Sequence, residues 1–369
     1  MTSNQSSSGF AHEMDARDSL APIRNEFYFP KINGNDALYF CGNSLGLQPK
    51  TVESALLQEL EDWKNWGVEG HFNAKNPWFP YHKMLTASLA RTVGAIGTEI
   101  VCMNTLTVNL HLLMISFYRP TRNRYKIIME AGAFPSDQYA MESQVRFHGF
   151  EPDDAIVEIA PRKGEYTLRT EDILDAINNH KDSISLVMFS GVQYFTGQRF
   201  DMKQITSAAH EAGGWGNDEA TRFEMKKGFR PARGAEGWQI SNAQVFQMAA
   251  LRSSLSIFDQ VELSDMYSKR DKLTGYLKSL LDGIISDFPN LPIKIITPET
   301  PSERGCQLSL LVENQGRELY HYLVENSAIV DWREPNVIRI APVPLYNSFE
   351  DVYKLTTIIR TYFSTQFLD

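Results

Sequence analysis

The tetrad Asn104-Thr105-Leu106-Thr107 stands between a short β-branched run and a strongly apolar segment, and it brings hydroxyl and amide side chains to what would be the first turn of a helix. A helix start leaves backbone N–H groups unpaired and carries a partial positive charge, so such a loop suits a phosphate. The same residue types are also ordinary caps, and both readings stand. Ala133-Phe134-Pro135-Ser136-Asp137 follows the next apolar run. Open α/β sheets bind ligands at the carboxyl ends of their strands, where Phe134 could stack on a planar group beside the Asp137 carboxylate. Pro135 with Ser136 and Asp137 is equally the common chemistry of a helix N-terminus. Arg339 interrupts the apolar run Val337-Ile338-Arg339-Ile340-Ala341, and a guanidinium there needs either an internal carboxylate or the carboxylate of a ligand. His71 lies in a loop-like Gly70-His71-Phe72, where a lone histidine is more often a surface residue than a substrate contact.

Metal chemistry has little support. The eight histidines include no H-x-x-x-H pair, and the three cysteines, Cys41, Cys102 and Cys306, are widely spaced, odd in number and without C-x-x-C spacing. They read as reduced, mostly packed thiols.

The elements that must position these residues follow from periodicity. Strand-like runs at 99–103, 125–129, 155–160 and 186–190 alternate with helical patterns from about 107, 136, 170 and 205. That alternation predicts an α/β layer structure with a mainly parallel sheet. Beyond His210 the rhythm breaks: residues 211–242 hold no β-branched apolar run, and a doubly wound sheet is left short of strands there. Two long helices follow, the second marked by Leu273, Leu277, Leu280, Leu281 and Ile284. Strands at 293–296, 307–312 and 337–340, with helices near 315–326 and 349–362, predict a small α+β domain. The expected division is a large domain over 45–250 and a small one over 1–44 and 251–369.

A chain of 369 residues with 43% hydrophobic and 22% charged residues can build a large core. Its 36 Lys+Arg against 45 Asp+Glu give a net charge of −9 with no basic run, which argues against nucleic-acid partners. The longest apolar stretch, 110–118, is broken by His111 and Ser116 and falls short of the ~20 residues of a membrane span. The first nine residues are Ser-rich and polar without an apolar region behind them, so a cytoplasmic protein is expected.

Cys41-Gly42-Asn43-Ser44-Leu45-Gly46-Leu47-Gln48-Pro49, Trp66-Gly67-Val68-Glu69-Gly70-His71-Phe72, NTLTVNLHLLMISFY, AFPSDQYA, SGVQYFTGQ, ATRFEMK, Cys306-Gln307-Leu308-Ser309 and IRIAPVPLYNS, in this order, resemble kynureninase, a pyridoxal 5'-phosphate enzyme of aminotransferase fold type I. The resemblance implies a homodimer with active sites at the subunit interface. It implies hydrolysis of L-kynurenine, or 3-hydroxykynurenine, to anthranilate, or 3-hydroxyanthranilate, and L-alanine in tryptophan catabolism. Carried over residue by residue, Leu106 and Thr107 would sit on the cofactor, Phe134 would stack on its ring, and Pro135, Ser136, Asp137 and Ser190 would line its pocket. Arg339 would hold the substrate α-carboxylate, and Ser44, His71 and Asn242 would contact the aromatic half, with Asn242 also near the cofactor. Trp215 matches a tryptophan lent to the neighbouring subunit, although Gly214-Trp215-Gly216 is one residue shorter than the family pattern.

The chain departs from the family at residues 211–215. There the family continues into an Asp-x-Ala-His motif, whose aspartate pairs with the pyridine nitrogen, and later a Ser-Tyr-Lys-Tyr loop, whose lysine forms the Schiff base. Both motifs are absent, and the sequence passes directly to GWGNDEATRF. Asp218 belongs to that later motif, and nothing places Lys226 or Lys227 at the cofactor. Phe195 also replaces a common tyrosine. A kynureninase lacking an internal segment and an inactive relative acting as a binding or dimer-partner protein both fit this pattern. A third fold-type-I activity, desulfurase or aminotransferase, fits the motifs less well.

Overall fold

The apolar runs at 126–130, 156–159 and 184–188 are each followed by a helix, and each pair folds as one βα unit. The computed structural model describes residues 7–209, 234–239 and 242–366. In chain order its main elements are α1 (Val52–Trp66), α2 (Leu106–Phe117), β1 (Lys126–Glu130), α3 (Pro135–Phe147), β2 (Ile156–Ile159), α4 (Thr170–Asn179), β3 (Ile184–Met188) and α5 (Met202–Ala209). After these come α6 (Val245–Phe258), α7 (Leu263–Asp287), β4 (Ile293–Ile295), β5 (Leu308–Val312), α8 (Gly316–Glu325), β6 (Asp331–Arg333), β7 (Val337–Ile340) and α9 (Phe349–Gln366).

The first sheet has the order β2-β1-β3 with both pairings parallel, Ile127 standing opposite Ile156 on one side and Leu186 on the other. Period-two alternation sends the side chains of β1 to two different layers. Ile127 and Met129 pack with Met114, Met141 and Val145 of α2 and α3, whereas Ile128 packs with Ile173, Ile177 and Ile205 of α4 and α5. All three β1 side chains are fully buried, each stabilising the fold by about 1.5–3 kcal/mol. The strand is thus sandwiched, which is why it reads as an unbroken apolar run until Glu130.

The expected strand at 99–103 does not form. Gly97–Glu99 is a single 3-10 turn and the chain to Thr105 is irregular. A strand exists only as part of a ladder, and among the described residues nothing pairs with this stretch. Residues 210–233, which hold the expected break in rhythm, together with Trp215, Asp218, Lys226 and Lys227, lie outside the described residues.

In the second half, an antiparallel sheet of order β6-β7-β5-β4 is covered by helices. Leu308, Leu310, Ile338 and Ile340 point into one core with Leu273, Leu277, Leu280, Leu281 and Ile284 of α7 and Val352, Leu355 and Ile359 of α9. Ala11 and Phe40 join that core from the start of the chain. Among the described residues no helix is long and apolar enough to cross a membrane, and no group of three or more His, Cys, Asp or Glu side chains is placed to hold a metal.

Candidate cofactor and substrate site

β1 ends at Glu130 and the chain turns through Gly132, at φ +66°, into Phe134 and the Pro135 start of α3. This strand-to-helix turn holds Phe134 partly exposed, with Ser136 and Asp137 in the first helical turn. Ser136 Oγ donates to Asp137 Oδ1 at 3.3 Å. Partial burial pushes the Asp137 carboxyl up from its ordinary value, and the Ser136 hydrogen bond works against that shift.

Ser190 follows β3 on the neighbouring strand, and its Oγ donates to Glu130 Oε1 at 2.7 Å. The loop beyond it, 191–199, joins the two halves of the molecule. The Tyr194 ring meets Phe134 edge to face with centroids 5.1 Å apart, while the Tyr194 carbonyl accepts from Arg339 Nη1 at 2.8 Å and Gln307 Nε2 at 3.1 Å. Gly197 makes the close approach possible, since at φ +77° a Cβ there would lie 3.1 Å from the Gln307 carbonyl.

Arg339 is only 3% exposed. β6 and β7 are in register, so that Asp331 stands opposite Arg339 and its Oδ2 accepts from both Nε and Nη2 of the guanidinium. With Nη1 on Tyr194, the guanidinium is held by an internal carboxylate and a carbonyl, the first of the two arrangements its sequence setting allows. Burial pushes its pKa down and Asp331 opposes that shift.

At the start of α2, Thr105 occupies the N-cap position without a side-chain cap bond. Asn104, the other candidate cap, turns instead to Asn109, donating from Nδ2 to Oδ1 at 3.3 Å and accepting on its backbone oxygen at 3.1 Å. Leu106 and Thr107 are exposed in a first turn to which the Thr105 side chain gives no cap.

A second cluster forms around His71. Its Nδ1 lies 2.8 Å from the Val68 carbonyl, which can only accept, so Nδ1 carries the proton and Nε2 accepts from Asn242 Nδ2 at 3.5 Å. The Trp78 ring packs edge-on against the imidazole at 5.7 Å. Far from being an isolated surface histidine, His71 is joined to a second expected substrate residue from 171 positions away. Ser44 is exposed in the turn after Cys41, its N–H donating to the Cys41 carbonyl at 3.0 Å. That turn needs Gly42, where a Cβ would lie 2.1 Å from Val343 Cγ2.

Sequence reasoning brought Phe134, Asp137, Ser190, His71, Asn242 and Arg339 forward but passed over Glu130 and gave Tyr194 no role. Glu130 was detectable as the lone acid closing an apolar strand just before the Phe134 turn. Together with Tyr166, Leu168, Gln193, Tyr194 and Phe195 it lines a cavity of about 300 Å³.

Comparisons with known proteins bear on this geometry. Residues 266–359 match the family model described as the kynureninase C-terminal domain. A kynureninase from Christiangramia forsetii is 42% identical, covering 95% of this chain and 97% of the relative. One from Koribacter versatilis is 44% identical over 94% of this chain and 95% of its own, and one from Nematostella vectensis is 41% identical over 96% and 94%. Among solved structures, the apo cysteine desulfurase of Thermococcus onnurineus superimposes with a TM-score of 0.72 at 14% identity, covering 92% of this chain and 97% of that one. The cystine C–S lyase C-DES gives 0.68 at 13% identity, covering 87% and 97%. The likeness to these two is one of fold, and that fold is aminotransferase fold type I. The extent and level of identity are decisive for descent: this chain belongs to the kynureninase family.

Proposed function

We propose that this chain is a kynureninase scaffold that takes pyridoxal 5'-phosphate, and that in its unshortened form it hydrolyses L-kynurenine or 3-hydroxykynurenine to the corresponding anthranilate and L-alanine. The observation that carries the substrate half is the His71–Asn242 hydrogen bond, which unites two residues from distant motifs in one polar pair. The cofactor half rests on fit. The first turn of α2, to which Thr105 gives no side-chain cap, suits a phosphate, and the half-exposed Phe134 ring suits the face of a pyridine. When bound, the cofactor supplies an electron sink for cleaving a carbon–carbon bond.

The protein's own groups divide the remaining work. Leu106 and Thr107 offer backbone N–H groups and a hydroxyl to the phosphate. Pro135 fixes the start of α3, so that Phe134, Ser136 and Asp137 hold their places in the pocket wall beside Ser190. His71, its Nδ1 proton committed to Val68, and Asn242, which shares its Nε2, would face the substrate's aromatic half as one polar pair, with Ser44 in the exposed turn. Arg339 would reach the substrate α-carboxylate only through the N–H groups that Asp331 and the Tyr194 carbonyl leave over. Trp215 would serve the partner copy's site. A second copy as partner fits the apolar side chains that α1 and the following turn leave exposed, Leu57, Leu60, Trp63, Trp66, Val68 and Phe72.

An inactive binding or dimer-partner role is favoured by one specific observation, the absence of the Schiff-base lysine and the pyridine-pairing aspartate from the sequence. The alignments with the relatives run to 412 and 407 positions, longer than the 369 residues of this chain, which supports an internal segment present in them and missing here. The large domain at 45–250 would carry that gap, and the small domain would comprise 1–44 and 251–369.

Titration of the chain with pyridoxal 5'-phosphate, followed by absorbance, tests the cofactor reading. Binding is expected for the chain as it stands. Thr107→Ala is expected to weaken it about tenfold without lowering the melting temperature. Formation of anthranilate is expected only after the family's Asp-x-Ala-His and Ser-Tyr-Lys-Tyr segment is inserted at residues 211–215. Turnover by the unmodified chain, or none after insertion, overturns the assignment.

A further inference from the structure

Glu130 ends the central strand of the parallel sheet, on the face of β1 shared with Ile128, and it is 4% exposed. One carboxylate oxygen accepts from Ser190 Oγ at 2.7 Å. The other oxygen, Oε2, has no hydrogen-bond partner among the described residues. The charged group acting on it is Asp137, another acid, so among the described residues no cation offsets its burial.

A buried carboxylate with one oxygen unpaired is a liability for folding, since desolvation costs more than a single hydroxyl returns. Burial, with Asp137 adding to it, pushes the Glu130 carboxyl up from its ordinary value, which expresses the same penalty. Groups held at such a cost cluster at functional sites. What this one does locally is explicit in the geometry. A serine hydroxyl has one hydrogen and two lone pairs, and here the hydrogen is committed to Glu130.

We propose that Glu130 is a positioning residue: by taking the Ser190 hydroxyl hydrogen it leaves that oxygen able only to accept, and so matches the pocket wall to a donor on the bound cofactor. The inference rests on the reading that Ser190 lines the cofactor pocket. Glu130 itself touches no reacting atom.

The test uses the full chain, pyridoxal 5'-phosphate as the probe, and two substitutions. Glu130→Gln keeps an acceptor for Ser190, whereas Glu130→Leu removes it and fills a similar volume. Expected are an affinity within about twofold of the parent for Glu130→Gln and a loss of about five- to tenfold for Glu130→Leu. The melting temperature of Glu130→Leu should be equal or higher, because an unpaired buried carboxylate has gone. An unchanged affinity in Glu130→Leu overturns the inference, as does a Glu130→Gln defect equal to that of Glu130→Leu. A clear fall in the melting temperature of Glu130→Leu would make the carboxylate structural, and overturns it too. If the parent chain binds no pyridoxal 5'-phosphate, the cofactor reading fails and this inference with it. Parental binding with an unaffected Glu130→Leu condemns the inference alone.

Discussion

Arg339 shows how much a single residue's setting decides. In the sequence it is a cation inside an apolar strand, compatible with two partners; the register of β6 against β7 chooses one of them by placing Asp331 directly opposite. That choice was not legible beforehand, because the three-residue strand Asp331–Arg333 is too short and too polar to announce itself. The pair is buried on the arginine side, so removing the guanidinium leaves Asp331 with only Arg333, at 3.1 Å. Arg339→Gln is therefore expected to lower the unfolding free energy by about 3 kcal/mol, the low end for a broken buried pair. Urea denaturation checks it. An unchanged midpoint would mean that the internal pair contributes nothing and that the guanidinium serves ligand binding alone. Glu130 gives the opposite lesson. Sequence reasoning passed it over, because an acid after Ile-Ile-Met signals only the end of burial, and the partner that gives it meaning, Ser190, is sixty positions away.

At the scale of elements, the helices and strands that sandwich β1 were readable because burial on both faces writes unbroken apolar runs, and amphipathic helices write a 3.6-residue period. Thr170–Asn179 and Val337–Ile340 formed where their patterns ended. Residues 99–103 failed the same test because Ile100 and Val101 supply strand propensity without a neighbour to pair with. α1 carries another feature that pattern alone conceals. Its face includes Glu59, fully buried, whose carboxylate accepts from Asn76 Nδ2 at 2.9 Å, Trp78 Nε1 at 3.0 Å and the Tyr81 hydroxyl at 2.8 Å. Residues 70–81 also fold back on themselves through Trp78 N–H to the Gly70 carbonyl and Phe79 N–H to the His71 carbonyl. The helix thus fixes the segment that holds His71. Glu59→Ala strands three donors, and one of them, the Tyr81 hydroxyl, sits on a fully buried residue. A loss of about 3 kcal/mol in unfolding free energy is expected, with faster hydrogen exchange across residues 70–81. Protection there equal to that of the parent would show that Glu59 does not hold this segment.

For the whole molecule, the described residues keep the fold of the family even though the sequence departs from it at residues 211–215. The TM-score of 0.72 against a desulfurase extends over 92% of the chain, so the likeness is one of the fold as a whole. The residues proposed to bind and orient are built locally: a strand, its turn and a helix start position Phe134 and Asp137, and the first turn of α2 positions Thr107. Covalent attachment is different, because it depends on one amine that a separate segment of the family carries. Among the described residues, no lysine lines the cavity that adjoins Glu130 and Tyr194. Lys226 and Lys227 follow the seam in sequence but match a later motif. Pyridoxal 5'-phosphate is accordingly expected to bind this chain through its phosphate and ring alone and to leave on gel filtration. After borohydride treatment, peptide mass mapping is expected to find no lysine modified above the background of surface amines. High-yield labelling of one particular lysine would show that the chain has recruited a replacement amine, and would return it to the active members of its family.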